Sequence, residues 1–318
     1  MDNQIICGEA MTALKSIPDN CVHTCVTSPP YYGLRDYGSG GQIGLEKTPE
    51  EYITRLVAVF SEVKRILRDD GTLWVNIGDS YAGSGKGSAL YPDSVKNTKQ
   101  GTSKGMIGAA AITEVGWGNC KPKDLIGVPW SLAFALRASG WYLRQDIIWH
   151  KPNPMPESVK DRCTKAHEYI FLLSKSKKYY FDSAIIKENC SEKNIADYMR
   201  RKTLNNKHGD YERIRPDLCR SRSDYMPSDF KRNKRDVWTM QIKPHKGAHF
   251  ATYPVELITP CILAGCPENG IVLDPFCGSG TTGVAAAKLK RKYILIDINA
   301  GYVNMAKQRL IAAARQGS

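Results

Sequence analysis

A glycine loop, Asp274-Pro275-Phe276-Cys277-Gly278-Ser279-Gly280-Thr281-Thr282, stands between a short apolar run, Ile271–Leu273, and an amphipathic one, Thr281–Leu289. An apolar run of strand length, then glycines, then a helical period make a strand-to-helix turn, where backbone can approach a nucleotide-like ligand. The same alternation fills most of the chain. Gln4–Cys7, Val22–Thr27, Thr72–Ile77, Trp141–Trp149, His167–Leu173 and Tyr293–Ile296 read as strands. A helix ending near Pro18 is predicted after the strand Gln4–Cys7, and others over Pro49–Asp69, Lys123–Ser139 and Gly301–Ala314. Alternation of this kind predicts an α/β fold, a largely parallel sheet with helices on both faces.

The string Gly278-Ser279-Gly280-Thr281-Thr282-Gly283 matches G-x-G-x-x-G, and Asp297 follows nineteen residues after Gly278, closing the next apolar run. That is the dinucleotide fingerprint, so a nicotinamide or flavin enzyme is one reading. Against it, Asp274-Pro275 intervenes between strand and first glycine, and only about one further βα unit follows. No second ligand half is recognisable downstream. The same residues suit S-adenosylmethionine, with glycines that admit its methionine and ribose part and an acid, Asp297, placed to accept from ribose hydroxyls.

At the other end of the chain, Thr27-Ser28-Pro29-Pro30-Tyr31-Tyr32 closes the strand Val22–Thr27. Two prolines fix their own φ angles and bias the residues before them to extended geometry. They lack N–H groups, so the stiff turn offers mainly acceptors, which an –NH₂ group needs. An aromatic follows, suited to a planar ring.

The 318 residues carry a net charge of +13, which favours a polyanionic partner, nucleic acid before an anionic membrane surface. The first ten residues have no basic leader, and no run of about 18 apolar residues occurs, so no membrane span is expected and the chain reads as cytoplasmic. Ten cysteines include no C-x-x-C pair, and Gly247 separates His245 from His249, so no metal site is expected. Residues 82–122 are rich in Gly, Ser and Lys without apolar periodicity and read as a flexible loop. Residues 187–235 carry fourteen Lys/Arg against eight Asp/Glu, interleaved with Tyr198, Tyr211, Tyr225 and Phe230, the pattern of a nucleic-acid reader.

The Ser-Pro-Pro-Tyr turn first and the glycine loop last resemble the beta group of DNA methyltransferases, which modify exocyclic amino groups using S-adenosylmethionine. The resemblance spans most of the chain outside 82–122 and 187–235. It implies a Rossmann-like, seven-stranded methyltransferase sheet in circularly permuted motif order, with an inserted target-recognition region. The parts would be 1–186, the first catalytic part with the loop 82–122; 187–235, target recognition; and 236–318, the cofactor-binding part. Ser28, Pro29, Pro30 and Tyr31 would be catalytic. Asp274, Pro275, Phe276, Gly278, Ser279, Gly280, Thr281, Thr282 and Asp297 would bind cofactor. Glu9, where the family often has Asp after Gly8, would lie near the cofactor's adenosine.

Cytosine-N4 members usually begin the tetrapeptide with Ser and adenine-N6 members with Asp or Asn. Ser28 thus favours cytosine N4, with adenine N6 as the alternative and an inactive DNA-binding module as the reading of another class. The partner implied is double-stranded DNA in a bacterial or phage-infected cell, at the nucleoid. The resemblance leaves room for a homodimer and a cognate restriction endonuclease. Pro260-Cys261, the one Pro-Cys pair, sits in an apolar stretch without the context of a cytosine-C5 nucleophile. Trp149–Pro154 and His167–Phe171 look like family segments around the pocket, and His249–Pro254 like one near the cofactor's methionine end.

Overall fold

A computed structural model describes residues 2–34, 40–82, 116–205, 230–241 and 253–316. They divide into two units, Met1–Phe181 with Asp236–Ser318, and Asp182–Arg235. The segments 83–115 and 206–229, with Tyr211 and Tyr225, and 242–252, with both histidines of the 245/249 pair, lie outside the described residues.

The larger unit is built on one eight-stranded sheet, in the order β1-β10-β9-β2-β3-β5-β4-β8. The strands are β1 (Gln4–Cys7), β2 (Val22–Thr27), β3 (Leu67–Ile77), β4 (Tyr142–His150), β5 (His167–Ser174), β8 (Val237–Thr239), β9 (Ile271–Asp274) and β10 (Lys292–Asp297). Neighbours from β1 to β3 pair in parallel, and β5 runs antiparallel to both β3 and β4. Helices α1 (Ala10–Lys15), α2 (Pro49–Ile66) and α3 (Val128–Ala138) pack together on one side. Helices α5 (Val255–Gly265), α6 (Thr281–Lys288) and α7 (Ala300–Gln316) cover the other. Burial on both faces explains why β9 reads as an apolar run up to its last residue.

The sheet has one strand more than the seven expected. Val237–Thr239 joins β4 in parallel, anchored by buried Trp238 and by the Trp149 indole donating to the Met240 carbonyl at 3.1 Å. Helix α2 ends at Ile66, three residues before the expected limit. Leu67 is already extended and pairs with Val22, so the sheet takes over its backbone bonds. Helix α3 begins at Val128, not Lys123, because left-handed Gly127 opens it and the Asp79 carboxylate accepts the Gly127 and Val128 N–H groups. Cys261 is fully buried within α5, out of reach as a nucleophile.

The smaller unit holds a two-stranded ladder, β6 (Glu188–Asn189) with β7 (Lys231–Arg232), and helix α4 (Glu192–Asn205). Arg232, Lys234 and Arg235 converge on Glu188 at 3.2–3.6 Å. Burial opposes its ionisation, but Arg235 and Lys234 outweigh it and hold its pKa below the usual value. Among the described residues no helix is long and apolar enough to cross a membrane.

Candidate active site

Parallel strands deliver the residues that follow them to one edge of the sheet. The register pairs Cys7 with Asp297, Leu295 with Asp274 and Cys25 with Leu273, so segments from both ends of the chain share that edge. Antiparallel β5 contributes its first residues there instead, with His167 opposite His150 and Glu168 opposite Trp149. A cleft opens along this edge, with about 1450 Å³ of empty space counting its mouth.

Ser28, Pro29, Pro30 and Tyr31 line one part of the cleft. The turn is held from beneath. The hydroxyl of buried Tyr52, on α2, donates to the Pro30 carbonyl at 2.7 Å, and the Tyr52 and Tyr32 rings lie 5.4 Å apart. The Ser28 hydroxyl lies beside that of Tyr31, which donates to Glu168 Oε2 at 2.6 Å. Burial first, and then the Glu168 carboxylate, push the Tyr31 phenol well above its usual pKa, so it keeps its proton.

Glu9, Pro275, Phe276, Gly278, Ser279, Thr281 and Asp297 line another part of the same cleft. Gly278 has a φ of +49°, and a Cβ there would meet nothing within 4 Å, so the loop leaves open space over this residue. Glu9 caps α1, its carboxylate accepting from Met11 N at 3.0 Å and Thr12 N at 2.8 Å. Burial raises its pKa, but these amides outweigh burial and leave it lowered. Asp297 accepts from Gly278 N and Asn299 N, both at 2.8 Å. Burial nevertheless raises its pKa against those two bonds.

Three residues expected at the cofactor lie beneath the cleft instead. Asp274 is fully buried and takes four donors: Thr27 Oγ1 at 2.6 Å and Phe276 N at 3.1 Å on one oxygen, Thr282 Oγ1 at 2.5 Å and Tyr253 OH at 3.1 Å on the other. Burial still dominates and pushes its pKa up to about 6. Thr282 is buried with it, and Gly280 packs on α7, where a Cβ would stand 2.7 Å from that of Ala306. Gly283 is likewise a packing glycine, since a Cβ would stand 2.5 Å from Leu295 Cδ1.

This geometry separates the two readings of the loop. A pyrophosphate site needs backbone N–H groups aimed at the ligand. Here the Phe276, Cys277, Gly278 and Gly280 N–H groups all bond within the protein, to Asp274, Ile296, Asp297 and Cys277. What remains toward the cleft is a cradle with acidic and apolar walls, Glu9 and Asp297 beside Phe276 and Ile298. That suits a cofactor of hydroxyls, amines and a planar ring, and disfavours a diphosphate.

Several site residues were not assigned from sequence. Asn76 on β3 bonds through Nδ2 to Glu168 Oε2 at 3.3 Å and to the Tyr169 carbonyl at 3.2 Å. Lys151 forms an ion pair with Glu168, and its ammonium lies 4.3 Å from the Trp149 ring centroid. Arg309 on α7 pins the glycine loop, bonding to the Ser279 carbonyl at 2.8 Å, Ser279 Oγ at 2.6 Å and Thr281 Oγ1 at 3.1 Å. Burial lowers its pKa, with Tyr253 opposing. Trp149–Pro154 and His167–Phe171 carried a signal as segments, but nothing in sequence singles out Lys151 and Glu168 as partners. Of His249–Pro254 only Tyr253 and Pro254 are described. Among the described residues no group of three His, Cys, Asp or Glu side chains could hold a metal ion.

Known proteins share this plan. The type II methyltransferase M.Cfr9I of Citrobacter freundii is 46% identical over 303 residues, 95% of this chain and 86% of its own length. The type II methyltransferase M.SmaI of Serratia marcescens is 44% identical over 308 residues, covering 97% and 90%. The solved PvuII DNA methyltransferase (cytosine-N4-specific) superposes with a TM-score of 0.61 at 16% identity, covering 97% of this chain and 86% of that one. The pattern of the N6/N4 methyltransferase family, described as DNA methylase, matches residues 22–308, and with it the chain is placed among the DNA methylases of that family.

Proposed function

We propose that this DNA methyltransferase transfers a methyl group from S-adenosylmethionine to the exocyclic N4 of cytosine, at a specific site in double-stranded DNA and on a flipped-out base. The observation that carries the reading is the meeting of Ser28 and the glycine cradle in one cleft, with Ser opening the Ser-Pro-Pro-Tyr turn. S-adenosylmethionine fits the cradle of Glu9, Phe276, Gly278 and Asp297, and when bound it supplies an electrophilic methyl group.

The chain's own residues prepare the nucleophile. A cytosine amino nitrogen is poor because its lone pair is delocalised into the ring. Hydrogen bonds from that –NH₂ to Ser28 Oγ and to a carbonyl of the proline turn localise the pair on nitrogen. One lone pair of the Pro30 carbonyl is already used by Tyr52. Positioning and electrostatics carry such a step, without a covalent enzyme intermediate. Extruding the base costs a few kcal/mol, and stacking on the Tyr31 ring recovers roughly 1–3 kcal/mol. Residues 187–235 act as the target reader through phosphate contacts by Lys and Arg. Affinity for DNA should then fall by about 0.9 log units per log unit of salt for each phosphate neutralised.

Mass spectrometry of nucleosides, with modified-base sequencing of DNA from cells expressing the protein, tests the reading. N4-methylcytosine in one sequence context is expected. N6-methyladenine would overturn the choice of base while keeping the site, and unmodified DNA would favour an inactive DNA-binding module.

A further inference from the structure

Four polar side chains that line the cleft, Ser28, Tyr31, Glu168 and Lys151, follow one another from the proline turn to the start of β5 and the end of β4. The Ser28 hydroxyl lies beside that of Tyr31, and Tyr31 donates to Glu168 Oε2 at 2.6 Å. Lys151 holds the other Glu168 oxygen in an ion pair, with side chains only 14% and 16% exposed. Room for the line is built into the sheet. A Cβ on Gly78, just after β3, would stand 2.8 Å from Tyr31 Cε2 and 3.4 Å from Glu168 Cδ. Asn76, two residues earlier, also donates to Oε2 at 3.3 Å. A half-buried carboxylate that accepts from a phenol, an amide and an ammonium is more than the proline turn needs for its shape, since Tyr52 already braces that turn.

We propose that Ser28, Tyr31 and Glu168 form the exit route for the proton that the amino group must lose on methylation. The inference rests on the methyl-transfer reading above. As the nitrogen lone pair forms the N–C bond, the methyl–sulfur bond breaks and its electrons stay on sulfur. The alkylated nitrogen becomes strongly acidic. One N–H proton passes to Ser28 Oγ, the Ser28 hydroxyl proton to Tyr31 Oη, and the Tyr31 proton to Glu168 Oε2. Glu168 ends neutral beside Lys151, and releases its proton to water when the product leaves. Ser28 touches the substrate; Tyr31 and Glu168 act through it. Lys151 is a positioning residue that holds Glu168 in place through their ion pair.

A double-mutant cycle tests this with Glu168→Gln, which keeps the side chain's shape and an acceptor, and Tyr31→Phe, which keeps the stacking ring. Single-turnover methylation of a duplex carrying the site should fall about a hundredfold in each variant, within the range for general acid–base groups. The double variant should be no slower than the slower single one, because a broken relay cannot be broken twice. Calorimetry with S-adenosylhomocysteine and 2-aminopurine fluorescence at the target position should give wild-type cofactor affinity and base extrusion in all three. Wild-type rates in Glu168→Gln, or losses that multiply in the double variant, would overturn the relay. Loss of cofactor binding or of extrusion would make Glu168 structural and overturn it equally. Should wild-type protein methylate no DNA, the functional reading itself fails, which is a separate result.

Discussion

The turn after β2 carries two prolines and no glycine before Gly33, whereas the loop after β9 carries Gly278 and Gly280, both with positive φ. They end parallel strands of one sheet and face one cleft. The proline turn is stiff by covalent structure and, having few N–H groups, presents oxygen. The glycine loop is permissive, and its shape is imposed from outside by Asp274, Asp297 and Arg309. The first is suited to meet a small amino group with fixed acceptors. The second is suited to leave space for a bulky cofactor. Damage to the two should therefore read out differently, in rate for the first and in stability or cofactor affinity for the second.

The largest effect is expected at the proline turn. Ser28→Ala removes an acceptor aimed at the amino group, and kcat should drop by about a hundredfold or more, or roughly 3 kcal/mol. Affinity for S-adenosylmethionine, measured by calorimetry, should stay within twofold. Near-normal methylation by this variant would refute the catalytic assignment.

Beneath the glycine loop the effect should appear in stability and depend on pH. The Asp274 carboxyl ionises at about 6 in the folded chain against 3.8 as its ordinary value, because burial outweighs its four donors. Folding therefore takes up a proton between those values. The stabilisation from the protonated form is full below about pH 4 and is lost as pH rises through 6. Asp274→Asn, which cannot ionise, should gain on wild type by up to roughly 3 kcal/mol across that window. Urea unfolding at several pH values measures it, and parallel stability curves for the two proteins would sink the assignment.

Gly280→Ala should cost about 1–3 kcal/mol of stability, since it places a side chain in left-handed backbone and a Cβ 2.7 Å from that of Ala306. The S-adenosylmethionine Kd should rise with it, while single-turnover rate at saturating cofactor changes little. A rate loss without an affinity loss would erase the contrast between the two turns.

The strands were legible because parallel strands buried on both faces leave apolar runs, and both turns because proline and glycine restrict or free φ. The cleft's far wall was not. Glu168 reaches the site only because β5 runs antiparallel and brings its first residues to the edge where the other strands end. Direction of pairing is a property of the whole sheet and leaves no mark at residue 168. The buried roles of Asp274, Gly280 and Thr282 were hidden for a related reason. A glycine loop shows which residues are near a ligand, but the side facing the ligand depends on α7, whose Ala306 and Arg309 lie beyond the loop in sequence. The extra strand at Val237–Thr239 is three residues long, too short for alternation to reveal.

The smallest effect asks what makes the proline turn stiff. Tyr52 is fully buried, and its hydroxyl donates to the Pro30 carbonyl at 2.7 Å. Tyr52→Phe removes that bond and keeps the ring that packs against Tyr32. A net hydrogen bond is worth about 0.5–1.5 kcal/mol, so stability should fall by about 1 kcal/mol. If proline geometry alone fixes the acceptors, kcat should stay within about twofold of wild type, because both prolines still set φ. A tenfold loss, equivalent to about 1.4 kcal/mol at the transition state, would mean that the turn owes its aim to α2. The proline turn would then resemble the glycine loop, with its shape imposed by a neighbouring helix.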